Sequence, residues 1–126
     1  MSTLWWRWNA REVRSIDNNF EWATKARATF CDDERRYVQA CVTMNNNSGE
    51  LWDIIVIDGA WRDDCTQYAL KQIRKGGYII IDNYHQPSVC GPEDWVKTDE
   101  LLKDYPRVVF PQVGHYDWRT AVFQIV

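Results

Sequence analysis

Two short apolar runs of the sequence end in oxygen-bearing side chains. Asp58 follows the run at 54–57, and Asp82 with Asn83 follows the run at 78–81. The carboxyl ends of parallel strands meet at one edge of a sheet, which is where open α/β sheets bind ligands. Carboxylate and amide oxygens are ligands that Mg²⁺ accepts, so the pattern predicts a metal site of Asp58, Asp82 and Asn83. The alternative is turn chemistry, because Asp-Gly and Asp-Asn pairs often end strands without binding anything.

Two further side chains could take part in chemistry at the same edge. Asp17 ends a shorter apolar segment, where a carboxylate can accept hydrogen bonds from a ligand. The alternative role of Asp17 is to cap the helix that follows. His85 comes shortly after Asp82, and an imidazole there can act as general base for a hydroxyl or an amine. The alternative is a surface histidine without a chemical role.

The spacing of apolar residues predicts the elements that hold these side chains. The runs ending at Asp58 and Asp82 predict two strands buried on both faces, and helical spacing over 62–75 places a helix between them. Strand, helix and strand form a βαβ unit with parallel strands. The remaining predicted elements are a strand at 12–16, a helix at 20–30, a strand at 37–42, a helix at 92–105, and strands at 108–113 and 119–126 that form an antiparallel hairpin.

These elements predict an α/β fold with an open, mainly parallel sheet flanked by helices and closed by the hairpin. The 126 residues suffice for one domain, which we expect to span 1–126. The net charge of −3 argues against a nucleic-acid partner. The sequence has no apolar run of about 18 residues, which argues against a membrane span. The 4 cysteines include no Cys-x-x-Cys pair, which predicts reduced thiols in a cytoplasmic protein.

An aromatic segment near the start, Trp-Trp-Arg-Trp at 5–8, allows three interpretations. Tryptophan with arginine is typical of a membrane interface, and indole rings can also stack on unpaired bases. The third interpretation is a helix whose residues Leu4, Trp5 and Trp8 pack on the sheet. Their spacing of three and four residues favours this last interpretation.

Taken in order, the motifs resemble a known family. The segment Trp-Asp-Ile-Ile-Val-Ile-Asp-Gly at 52–59, the segment Lys-Gly-Gly-Tyr-Ile-Ile-Ile-Asp-Asn at 75–83 and the hairpin resemble the C-terminal two thirds of a class I S-adenosylmethionine-dependent methyltransferase. Residues 13–17, followed by a helix that contains Glu21 and Trp22, resemble that family's second strand and its acidic residue. The resemblance implies a Rossmann-like sheet and methyl transfer from S-adenosylmethionine to a hydroxyl or amine of a small molecule.

The resemblance also implies roles for individual residues. It assigns Asp17 to the ribose hydroxyls of the cofactor and Asp58 to the cofactor and the substrate, with His85 as base. Asp58, Asp82 and Asn83 resemble the Mg²⁺ site of catechol-type O-methyltransferases. The further cofactor contacts that it implies are Ser2, Thr3 and Asn18.

The family's first strand and glycine-rich loop have no counterpart, because residue 1 falls where that loop would end. In the family this strand lies inside the sheet, so the sequence predicts two open strand edges. We expect a second copy of the chain, or a segment preceding residue 1, to complete the sheet. We also expect residues 1–126 alone to associate and to bind S-adenosylmethionine weakly, and a version preceded by such a strand and loop to bind it well. The alternative function is a catalytically inactive remnant or assembly subunit that binds another chain along the open edge.

Overall fold

A computed structural model describes residues 2–33, 49–86, 95–114 and 117–126. The chain divides into two compact units, Met1–Glu50 and Leu51–Val126, which we call the N-terminal and the C-terminal unit. The single domain over 1–126 stays a prediction. The strand predicted at 37–42 and the first residues of the helix predicted at 92–105 lie outside the described residues.

The N-terminal unit alternates helices with short strands. Strands β1 and β2 pair in parallel, with Asp17 opposite Phe30. The strand predicted at 12–16 is therefore shorter than expected and includes Asp17 as its last residue. The elements of this unit are α1 (Ser2–Asn9), β1 (Ile16–Asp17), α2 (Phe20–Ala26) and β2 (Thr29–Phe30).

Helix α2 begins where the sequence predicts and ends earlier. The side-chain oxygen of Asn19 accepts the backbone N–H of Trp22 at 3.0 Å, so Asn19 is the N-cap. The prediction of a helix through residue 30 is wrong, because Arg27 adopts a left-handed conformation with φ of 54°. The Arg27 N–H then bonds to two carbonyls of the last turn and ends the helix. A threonine and a phenylalanine follow, and both types favour strands, so they form β2 instead.

The tryptophans of α1 do not pack as their spacing predicts. Trp8 is 88% exposed and Trp5 is 58% exposed, so the expectation that these two rings are buried against a sheet is wrong. The edge of one ring contacts the other in the pair Trp5 and Trp6, with centroids 4.8 Å apart. The two strands described in this unit have two residues each and offer little surface on which an indole ring could pack. Within the described ranges, no helix has both the length and the apolar character that crossing a membrane requires.

The C-terminal unit contains a four-stranded open sheet in the order β3-β4-β6-β5. Strands β3 and β4 are parallel, whereas β6 is antiparallel to both β4 and β5. The βαβ unit and the closing hairpin predicted from the sequence are thereby confirmed. The elements of this unit are β3 (Trp52–Ile57), α3 (Arg62–Gln72), β4 (Ile73–Asp82), α4 (Val96–Leu102), β5 (Arg107–Pro111) and β6 (Arg119–Gln124).

One face of this sheet is buried and the other is partly exposed. Ile79 and Ile81 of β4 are fully buried, as is almost all of Ile57, which pairs with Ile81. Side chains alternate between the two faces of a strand, and on the opposite face Ile54 and Val56 remain 38% and 39% exposed. The prediction that β3 is buried on both faces is therefore wrong. Among the described strands β3 pairs only with β4, so no described strand pairs with its other edge.

Helix α4 begins with a cap that α3 supplies. Its own N-cap residue, Trp95, makes no side-chain cap hydrogen bond. Instead, the Asp63 carboxylate accepts the backbone N–H groups of Lys97 at 3.1 Å and of Thr98 at 2.8 Å. It also accepts the hydroxyl of the fully buried Thr98 at 2.6 Å. The two backbone donors would otherwise lack partners at the start of a helix. The three hydrogen bonds to Asp63 therefore cap α4 and link it to α3.

We expect Asp63→Ala to lower the free energy of unfolding by about 2 kcal/mol, the upper end of the cost of losing a helix cap. The loss is large because the buried Thr98 hydroxyl also loses the shorter of its two hydrogen bonds and keeps only the one to Thr66 Oγ1 at 3.2 Å. Asp64→Ala is the matched control, since it removes the neighbouring carboxylate of the same turn, whose bond to Lys97 Nζ lies at the surface. Urea unfolding followed by tryptophan fluorescence measures both variants. Equal unfolding midpoints for the two would contradict the capping role.

Candidate functional site

The carboxyl ends of β3 and β4 lie side by side, as the sequence predicts. Ile57 pairs with Ile81 in register, so the next residues, Asp58 and Asp82, stand at neighbouring strand ends. Asp58 is exposed at this edge. The Asp82 carboxylate accepts the hydroxyl of Thr120 on β6 at 2.6 Å. The edge therefore carries the acidic groups expected there, and one of them bonds within the sheet.

The side chain of Asn83 is bonded within the protein as well. Its Oδ1 accepts Arg62 Nη2 at 3.2 Å, and its Nδ2 donates to Gln86 Oε1 at 2.6 Å. In the part of the chain that the structure describes, no three His, Cys, Asp or Glu side chains group in a way that could hold a metal ion. The geometry therefore gives no support to magnesium at Asp58, Asp82 and Asn83. The bonds of Asp82 and Asn83 agree with the turn interpretation instead.

A tight turn follows β4 and directs two consecutive side chains towards α4. Asn83 and His85 both have left-handed backbones, with φ of 54° and 51°. The N–H of Tyr84, between them, donates to the carbonyl of Arg119 at 3.0 Å, which ties the turn to the start of β6. Asparagine and histidine adopt this conformation more readily than most residues. The turn can therefore aim Tyr84 and His85 at the same neighbour.

That neighbour is the carboxylate of Asp99 on α4. The Tyr84 hydroxyl donates to Oδ1 at 2.6 Å, and His85 Nε2 donates to Oδ2 at 2.7 Å. Because a carboxylate only accepts, Nε2 carries a proton, and in the neutral form of the ring Nδ1 is the acceptor. The imidazole also stacks on the buried ring of Trp95, with centroids 5.3 Å apart. His85 is thus held in one orientation while its side chain stays 38% exposed.

Two arginines line a cavity beside this pair. Arg107 Nη1 donates to the Tyr84 hydroxyl at 3.1 Å, and its guanidinium lies 6.0 Å from the centroid of the same ring. The side chain of Arg119 makes no hydrogen bond or ion pair with any residue of the described ranges. The cavity has a volume of about 330 Å³ and is lined by Tyr84, His85, Asp99, Arg107, Val109 and Arg119.

Asp17, in the N-terminal unit, ends β1 and makes one hydrogen bond just before α2, whose N-cap is Asn19. Its Oδ1 accepts the backbone N–H of Asn19 at 2.8 Å and so shapes the start of α2. Its Oδ2 has no hydrogen-bond partner among the described residues, which leaves an acceptor that fits a ligand hydroxyl. Asn18 beside it is exposed. Ser2 and Thr3 lie in α1, and their side chains are outside the described part of the structure.

Sequence reasoning identified His85 and missed the residues around it. Asp99 is 14 positions from His85, and Arg107 is 23 positions from Tyr84. They meet because α4 packs beside the turn and because the hairpin returns to β4. Among the missed residues Tyr84 carried a local signal, because it follows a predicted strand end directly. No spacing in the sequence pointed to the other residues, Asp99, Arg107 and Arg119.

The ionisation of the Tyr84 hydroxyl can be measured and reports on its contacts in this site. Burial and the hydrogen bond to Asp99 raise the pKa of Tyr84 above its ordinary value of 10.0. The unfolded chain loses this proton near pH 10.0 and the folded chain only at higher pH. Keeping Tyr84 protonated therefore contributes to the stability of the folded state. This contribution is fully present below pH 10.0 and is lost as the pH rises through the pKa of Tyr84 in the folded chain. In an alkaline titration followed by tyrosinate absorbance, we expect Tyr84→Phe to remove a late ionisation step, one that lies above the ordinary range of tyrosine.

Tyr78→Phe is the matched control, because it removes a ring that is 41% exposed on β4. We expect this variant to keep the late step. If the late step persisted in Tyr84→Phe, the burial and the Asp99 bond would not govern that ionisation.

Comparison with known proteins bears on the fold. No protein-family model and no curated protein matches the sequence. Among solved structures, the chain is similar to an O-methyltransferase from Bacillus cereus in complex with SAH, with a TM-score of 0.64 and 16% identity over 90% of this chain and 62% of that one. It is also similar to the N-methyltransferase NodS from Bradyrhizobium japonicum WM9, with a TM-score of 0.54 and 14% identity over 87% of this chain and 71% of that one. A third similar structure is the O-methyltransferase TomG from Streptomyces achromogenes, in complex with SAM, with a TM-score of 0.53 and 16% identity over 98% of this chain and 78% of that one.

The chain thus spans 62% of the length of the Bacillus cereus enzyme and 71% and 78% of the other two. One of the three enzymes methylates nitrogen and two methylate oxygen. At 14–16% identity, the likeness to this chain lies in the arrangement of strands and helices. This agreement confirms the expected fold class: the chain has the Rossmann-like α/β fold of the class I S-adenosylmethionine-dependent methyltransferases.

Proposed function

We propose that this protein transfers a methyl group from S-adenosylmethionine to a hydroxyl or amine of a small molecule. The observation that carries the proposal is the position of His85. It presents a ring nitrogen directly after β4, at the edge where open α/β sheets bind ligands. The fold shared with O- and N-methyltransferases supports the same reaction class.

The N-terminal unit offers Asp17 to the cofactor. One carboxylate oxygen, Oδ2, is available to accept a hydrogen bond from a ribose hydroxyl. Ser2, Thr3, Asn18 and Asp58 are the further contacts proposed for it. S-adenosylmethionine supplies a methyl carbon whose bond to sulfur breaks as its bond to the acceptor oxygen or nitrogen forms.

His85 would take the proton that the acceptor loses. Its Nε2 proton is engaged by Asp99, so the lone pair of Nδ1 is the group that can accept. Once protonated, the ring keeps its hydrogen bond to the Asp99 carboxylate, which stabilises the new positive charge. Asp58, at the neighbouring strand end, is proposed to position the acceptor. Asp99 acts through His85 and is a positioning residue.

The ribose role of Asp17 has a direct test. Asp17→Ala should raise the dissociation constant for S-adenosylmethionine about tenfold or more, because each charge-assisted hydrogen bond contributes roughly 1.5–3 kcal/mol. Glu21→Ala is the matched control, since this carboxylate of the same unit pairs with Lys25 at the surface. Calorimetric titration is run on residues 1–126 and on a version preceded by a strand and a glycine-rich loop. Equal affinities for Asp17→Ala and the unchanged protein would remove Asp17 from the cofactor site.

The role of His85 is tested by turnover. With a panel of small hydroxyl and amine compounds, release of S-adenosylhomocysteine should fall about 100-fold or more in His85→Gln, the typical contribution of a general base. The affinity for S-adenosylmethionine should stay unchanged. Asp99→Asn should also slow turnover, because an amide can bond to His85 in the opposite sense and favour the other tautomer. Full turnover in His85→Gln would show that another group takes the proton.

The edge of β3 that no described strand pairs with favours a second function. This strand pairs only with β4 among the described strands, and it carries the exposed residues Ile54 and Val56. An unpaired strand edge is a template for a further strand. A catalytically inactive assembly subunit would use this edge to bind a second copy or a preceding segment. Association of the chain without binding of S-adenosylmethionine would favour this function over methyl transfer.

A further inference from the structure

We infer that the cavity between the turn after β4, helix α4 and the β5–β6 hairpin binds a small carboxylate or phosphate anion through Arg107 and Arg119. In one respect the inference rests on the proposed function: in methyl transfer, this anion is the acidic group of the acceptor, held beside His85. The binding of the anion itself does not depend on the cofactor.

The charged side chains that line the cavity in the described part of the chain do not balance one another. Arg107 bonds to an uncharged partner, the Tyr84 hydroxyl, and has no ion pair with a described residue. Arg119 has neither a hydrogen bond nor an ion pair within the same ranges. Among the described lining residues the one carboxylate, that of Asp99, already accepts bonds from Tyr84 and His85. Two guanidinium groups and one engaged carboxylate give the described lining of the cavity a net positive charge.

The hairpin explains why residues so far apart in the sequence line one cavity. In the antiparallel register Arg107 pairs with Phe123, and Pro111 pairs with Arg119. Alternate residues of paired strands share a face, so Arg107, Val109 and Arg119 lie on the same face of the hairpin. Both arginines belong to strands, and the carbonyl of Arg119 is bonded to the N–H of Tyr84 at 3.0 Å. Their backbones are therefore fixed before any ligand arrives.

The size and chemistry of the cavity define the class of ligand. A guanidinium presents a planar set of donors that matches the oxygens of a carboxylate or a phosphate. The volume of about 330 Å³ lies near the lower end of the range for small-molecule sites. Val109 adds an apolar wall, which suits the carbon skeleton of an organic acid. These features indicate a small anionic molecule.

The position of the cavity connects this anion to the proposed reaction. Arg119 and His85 both lie at the carboxyl end of β4, since Asp82 pairs with Thr120, the residue after Arg119. An acceptor whose acidic group binds the arginines can therefore present a nearby hydroxyl or amine to the imidazole. The substrate class that follows is a small hydroxylated or aminated acid.

The test uses inorganic phosphate and acetate as probes, titrated into the 126-residue chain at constant ionic strength and followed by calorimetry. Arg119→Gln should weaken both probes about tenfold, the effect of one charge-assisted contact. The affinity of Arg119→Lys for the probes should lie between those of the unchanged protein and Arg119→Gln, because lysine keeps the charge and loses the planar donor set. Lys75→Gln is the control, since it removes the same charge from an exposed residue that does not line the cavity. Arg119 has no side-chain partner among the described residues, so its loss should leave the unfolding midpoint unchanged.

Unchanged affinity in Arg119→Gln, or equal weakening by Lys75→Gln, would overturn the anion site. A parallel titration with S-adenosylmethionine separates this outcome from a failure of the proposed function. Phosphate binding that depends on Arg119 in a protein that binds no S-adenosylmethionine would support the anion site and contradict methyl transfer. Arg119→Gln could instead weaken the binding of S-adenosylmethionine as much as the binding of phosphate. The anion would then be the cofactor's own carboxylate, and its assignment to the acceptor would be wrong.

Discussion

The pairing of β4 on both of its edges is the constraint on which the candidate site depends. The strand is parallel to β3 and antiparallel to β6, and its residues Ile79 and Ile81 are fully buried. A shift by one residue would turn both isoleucines to the other face, so burial sets the register. The place where β4 ends is therefore fixed, and so is the turn that carries Tyr84 and His85. Because β6 runs in the opposite direction, it begins beside that same end.

The Asp99 carboxylate then determines what the turn can do. It receives the hydroxyl of Tyr84 and the imidazole of His85, so one anion satisfies two donors and orients both rings. Burial and this bond raise the pKa of Tyr84, although Arg107 acts in the opposite direction. Tyr84, whose ordinary pKa of 10.0 already lies well above physiological pH, is neutral there and does not cancel the charge of Arg107.

Much of the C-terminal unit could be predicted because its signals are local. A β-branched run, an Asp-Gly pair and helical spacing each act over a few residues, and together they define the βαβ unit. The end of α2 could not be predicted, because Arg27 adopts a conformation that its residue type does not favour. The exposure of Trp8 and the bond from His85 to Asp99 depend on how elements pack, which spacing along the chain does not encode. The candidate base was accessible to sequence reasoning because it follows a strand end, whereas its carboxylate partner was not.

The cap that Asp63 provides has a consequence for how such a cavity can change over generations. Helix α4 has seven residues, too few to be stable in isolation, so its placement relies on contacts with α3. Asp99 directly follows Thr98, which Asp63 holds by two hydrogen bonds. Substitutions at 63 and 99 should therefore be epistatic, with effects that do not add. Two homologous proteins with the same cavity-lining residues can therefore differ in the ligands they accept. A substitution at the helix cap moves Asp99, although the cap residue itself does not line the cavity.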